Sequence, residues 1–90
     1  MNDNKIIKKY HGNIRQLSND VGSLRYDVLS RFLKNLAARL KAISASDTKN
    51  DRTRLARSVG EASFYLTMAQ KKVDSAWKVR KKDMKGEDNA

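Results

Sequence analysis

Two runs of apolar residues, each spaced as one face of a helix, divide this chain. In the second run, Leu55, Val59, Ala62, Leu66, Ala69, Val73 and Ala76 recur at alternating intervals of four and three. That is the heptad spacing of a helix buried along one seam. It predicts one long helix from about Asp51 to Asp83, roughly 50 Å in length at the α-helical rise. The first run is Ile7, Tyr10, Ile14, Leu17, Val21, Leu24 and Val28, followed by Phe32, Leu36, Leu40 and Ile43 in steps of mostly four. Such a change of step moves the seam around the helix, as a stutter does in a coiled coil. Leu29 and Leu33 widen the face, which suits the core of a bundle.

Gly22 interrupts the first run, with Ser18, Asn19 and Asp20 before it and Ser23 after it. A helix can end there and restart with Ser23 as its N-cap. The apolar phase nevertheless runs straight from Val21 to Leu24 to Val28, which favours a continuous or kinked helix. The polar stretch from Ser44 to Asp51 reads as the turn, with Thr48 and Asp51 spaced like a capping box. A short connection makes the two helices antiparallel neighbours.

The expected fold is therefore all-α: an antiparallel hairpin of two long helices, in one domain covering residues 5–85, with residues 1–4 and 86–90 expected to be disordered. Phe64 and Met68 lie off the predicted seam, so a lone hairpin leaves them uncovered and makes them candidate interface residues. A twofold homodimer forming a four-helix bundle covers such a surface most simply. The alternative is a three-helix monomer in which residues 5–21 hinge at Gly22 and fold back over Phe64 and Met68.

Composition adds a constraint and a partner class. Ninety residues make a small core, and with no Cys neither a disulfide nor a thiolate metal site reinforces it. Oligomerisation is the remaining route. Twenty Lys and Arg against ten Asp and Glu give a formal charge of +10. That excess favours nucleic acid, an anionic membrane or an acidic protein as partner. The basic end of the second helix lacks the broad apolar face of a membrane-surface helix, which makes a membrane the weaker option. No run is long and apolar enough to span a bilayer, and the polar N-terminus leads into no signal-like segment. The cytoplasm is the expected location.

Candidate chemistry is sparse. His11 is the only His, with no clustered carboxylates, so neither a metal site nor a catalytic base is read here. Asp27 and Arg31, Arg57 and Glu61, and Asp74 and Lys78 are spaced as helix-surface ion pairs. No glycine-rich loop cradles a phosphate. The expectation is a non-enzymatic protein without cofactor, metal or small-molecule substrate. Its basic residues carry the functional signal. Arg57, Lys71, Lys78, Lys81 and Lys82 are the candidate nucleic-acid contacts, acting on phosphates without sequence selectivity. Trp77 sits among the last four, placed to stack on a base or to pack against the first helix. The alternative function is a protein-interaction module or a subunit of a larger complex.

Overall fold

The computed structural model describes the backbone of residues 11–88 and the side chains of residues 11–83. The described residues form three helices: α1 (Ile14–Gly22), α2 (Tyr26–Lys49) and α3 (Thr53–Asp88). The expectation of an all-helical chain holds, but the first helix is not continuous. It breaks after Gly22, and the chain passes through Ser23–Arg25 before α2 starts.

Local chemistry explains the break. Asn13 opens α1 with a reciprocal capping box: the Gln16 backbone N–H donates to Asn13 Oδ1, and the Asn13 N–H donates to Gln16 Oε1. At the far end Ser23 takes over the orphaned carbonyls, donating from both its N–H and its hydroxyl to Asn19 O. Arg25 is extended, and its guanidinium forks onto Asp27 in the first turn of α2, at 2.6 and 2.8 Å. The side chain that sets the start of α2 is therefore Asp27, which also accepts from the Val28 N–H, and not Ser23. Asp27 pairs with Arg25 rather than with the expected Arg31.

The turn between α2 and α3 is shorter than its polar sequence suggests. Ser44 to Lys49 stay helical, so Thr48 caps nothing and its hydroxyl donates back to Ser44 O. Only Asn50, Asp51 and Arg52 form the connection. Asp51 adopts a left-handed conformation, φ 61°, which short polar residues tolerate best after glycine. Asp47, buried at the end of α2, holds Arg52 by an ion pair of 2.9 Å and closes the corner. α3 also reaches further than expected, to Asp88.

The seam between α2 and α3 is the main correction. Ser30, Ala37 and Ser44 repeat every seven residues on α2; Ala56, Ser63 and Gln70 do so on α3. They meet in antiparallel register. The Ser44 hydroxyl donates to Ala56 O at 2.6 Å, the Ser63 hydroxyl to Ala37 O at 2.7 Å, and Gln70 Nε2 to Ser30 Oγ at 2.8 Å. A serine side chain reaches the opposite backbone only when two helices lie very close. Small residues permit that approach, and each buried hydroxyl finds a partner, as burial demands. The contact line on α3 thus runs one residue on from the apolar heptad of Leu55, Val59 and Ala62. The apolar positions lie beside the seam, not in it.

The consequence for packing is large. Ala37 and Ala56, 4% and 5% exposed, are the buried apolar residues among those described, and no large side chain is fully buried. The radius of gyration is 16.8 Å, against about 12 Å for a compact domain of this length. Phe64 and Met68 remain 60% and 46% exposed, so α1 does not fold over them as the three-helix alternative requires. The part of that alternative, and of the first apolar run, that falls on residues 5–10 lies outside the described residues.

Candidate interaction surfaces

The seam divides the α2–α3 pair into two faces. With α2 and α3 antiparallel, residues on the same rotational side of each contact line point to the same side of the pair. One side carries Leu29, Leu33, Leu36 and Leu40 from α2 and Leu55, Val59, Leu66 and Val73 from α3. None of these is buried. Leu36 and Leu55 are the most open, 37% and 42% exposed, and the others are partly covered by the pair itself, which leaves a continuous apolar edge of the kind that marks an interaction surface. At 1.5 Å per residue over α2, and about 10 Å per helix, it measures roughly 36 by 20 Å, or about 700 Å². That approaches the ~800 Å² each partner contributes to a standard protein interface.

The other side is basic. Arg31, Lys34 and Lys41 of α2 share it with Arg57, Lys71, Lys78 and Lys82 of α3, and Lys81 lies near its edge beyond the end of α2. All are exposed. Arg57 to Lys82 spans roughly 38 Å of helix. Lys78 forms the expected pair with Asp74, at 3.6 Å, which at that exposure tethers it only weakly. Glu61 is exposed on the outer surface. Phe64 and Met68 stand on this basic side between Arg57 and Lys71, and the Phe64 ring meets Tyr65 edge-on at 5.6 Å. They are therefore not part of the apolar stripe, although the sequence had singled them out as the uncovered surface.

No family model matches this chain, and neither does any curated protein or solved structure.

Trp77 does not stand free among the lysines. It is half-buried, and the Arg25 guanidinium lies over its ring, 5.2 Å from the centroid. The same guanidinium holds the Asp27 carboxyl below the usual carboxylate range, chiefly through their hydrogen bonds, and Asp27 in turn raises Arg25. His11 is exposed. Among the described residues no three His, Cys, Asp or Glu side chains converge as metal ligands, and no helix is long and apolar enough to cross a membrane.

What the sequence missed was the seam. Its signal was present as two sets of small residues at sevenfold spacing, Ser30–Ala37–Ser44 and Ala56–Ser63. A serine next to polar residues reads as a turn former, which is why Ser44 reads as part of the turn.

Proposed function

We propose that this chain is a non-enzymatic accessory protein that binds nucleic acid through its phosphates, using the basic side of the α2–α3 pair. The observation that carries the reading is a side of the pair lined by exposed cations, with Phe64 and Met68 among them, opposite a side lined by leucines and valines. Arg57, Lys71, Lys78, Lys81 and Lys82 supply the contacts on α3. Point charges on flexible stems in a row suit a phosphate backbone and read no base edges.

The apolar side supports the second half of the proposal. Two copies meeting through these stripes form a twofold, four-helix bundle. Pairing the stripes puts the like-charged sides outward and apart, so the charge of +10 per chain does not oppose assembly at close range. A heterologous partner seated on the same stripe is the alternative, and would make the chain a subunit of a larger complex.

The test is a mobility-shift titration with duplex DNA at several salt concentrations. Five lysine and arginine contacts predict a log–log salt slope of about −4.5, or roughly a 500-fold loss of affinity between about 50 and 200 mM salt. Changing the five residues to Gln should flatten the slope towards zero. Absence of binding at low salt, or binding indifferent to salt, refutes the reading.

A further inference from the structure

α3 outlasts α2. Its register pairs Gln70 with Ser30, so α3 beyond about Asp74 overhangs the start of α2 at Tyr26. There the junction from Gly22 to Tyr26 faces Trp77 and Arg80 across an open cavity of about 640 Å³. This volume lies within the range of small-molecule sites. Its walls differ from both surfaces described above. They combine two arginines, Arg25 and Arg80, with an indole and a phenol, and Tyr26 is partly open to solvent. The site lies past the end of the α2–α3 seam and apart from the Lys71–Lys82 row.

We propose that this cavity binds one nucleotide unit, base and phosphate together. Aromatic rings offer a base a stacking surface without regard to its identity. A planar guanidinium forks onto phosphate oxygens and also stacks on rings. Arg25 already shows the second habit, lying over Trp77. Asp27 occupies its Nε and one Nη, and a guanidinium carries five N–H donors, so donors remain for a ligand. A lone inorganic anion makes no use of the rings, and an uncharged aromatic makes no use of the guanidinium charge. A nucleotide uses both. It can arrive free or as an unpaired residue of a strand.

Trp77 is the only tryptophan, so its fluorescence reports on this cavity alone. The full chain is titrated with adenosine monophosphate, with a short single-stranded oligonucleotide and with a blunt duplex. Saturable quenching by the mononucleotide assigns the site to free nucleotides; quenching by the strand alone assigns it to unpaired residues. Either result supports the proposal if Arg25→Ala and Arg80→Ala each weaken the response roughly tenfold, the scale of one lost charge-assisted contact. Arg25→Lys keeps the charge without the fork and serves as the conservative variant, and unchanged far-ultraviolet circular dichroism controls for folding. A silent Trp77 with both single-stranded ligands, equal quenching by the blunt duplex, or variants that bind as tightly as the parent overturn it. A silent Trp77 with a duplex that still shifts in the gel refutes the cavity alone and leaves the phosphate-binding reading in place.

Discussion

Gly60 offers the sharpest test of the seam. It lies inside α3, past its first two turns, where replacing glycine by alanine ordinarily stabilises a helix by about 1 kcal/mol. The fold removes that gain. A Cβ at Gly60 would come to 3.1 Å from Ser44 Oγ and 3.8 Å from Ser44 Cβ. The first separation is inside the ordinary optimum for nonbonded atoms. The hydroxyl cannot yield freely, because it is donating to Ala56 O at 2.6 Å. Moving it forfeits a hydrogen bond worth about 1 kcal/mol net. Gain and cost therefore nearly cancel, and Gly60→Ala should leave stability within about 0.5 kcal/mol of the parent. In a Ser44→Ala background the offending oxygen is gone and the nearest atom sits at ordinary contact distance. There the same change should stabilise by about 1 kcal/mol, or raise Tm by roughly 4–8 °C for a domain of this size. Four proteins melted at one concentration, followed by far-ultraviolet circular dichroism, complete the cycle. If Gly60→Ala raises Tm equally in both backgrounds, Gly60 does not face Ser44. The contact line would then run through the apolar heptad at Val59 and Ala62, not through Gly60 and Ser63.

The apolar side and the α2 start give two further tests. Leu36→Asp, in the middle of the stripe and away from the seam, should reduce the mass seen by light scattering to that of one chain and lower Tm with it; an unchanged mass from an assembled parent would remove the stripe as the interface. The Arg25–Asp27 fork predicts a dependence on acid. Asp27 is more acidic folded than unfolded, so its stabilisation is complete above the ordinary Asp range and is lost as pH falls through the lower folded value. Asp27→Asn should lower Tm at neutral pH and make little difference once both carboxyl states are protonated. A gap between parent and variant that stays constant with pH would show that the fork does not set the start of α2.

The long helices were legible because apolar periodicity survives whichever neighbour a helix packs against. Leu55 to Ala76 predicts a helix whether it is covered by α2 or by another chain. The same pattern misled about the partner. Apolar residues were assigned to the nearest helix, whereas that helix is held by Ser30, Ala37, Ser44, Ala56 and Ser63. The break after Gly22 was visible as an option and was outweighed by the unbroken apolar phase from Val21 to Val28. Phase continuity argues against a loop only when both sides bury the same stripe in one core. α1 packs hardly at all against the rest, so its phase carries no constraint. The cluster around Trp77 was not legible, because Arg25 and Trp77 are brought together only by the antiparallel register.

That register also explains why the apolar surface stays open. A helix pair joined through leucines spends its apolar residues on its own seam and leaves little for a partner. Here hydrogen bonds from Ser44, Ser63 and Gln70 hold the pair, and the side chains that meet are short. The larger apolar residues are displaced sideways by one heptad position on α3. They line up with the leucines of α2 on a common side, since antiparallel helices rotated in the same sense from their contact line present the same side of the pair. A helix pair of this construction is stable only to the extent that its small-residue seam and the partly covered residues beside it suffice, because no large apolar side chain among the described residues is fully buried. Covering the stripe supplies what the seam lacks, so folding and assembly should be coupled. Melting temperature should then rise with protein concentration, and a Tm independent of concentration over a wide range would show that the isolated pair is sufficient.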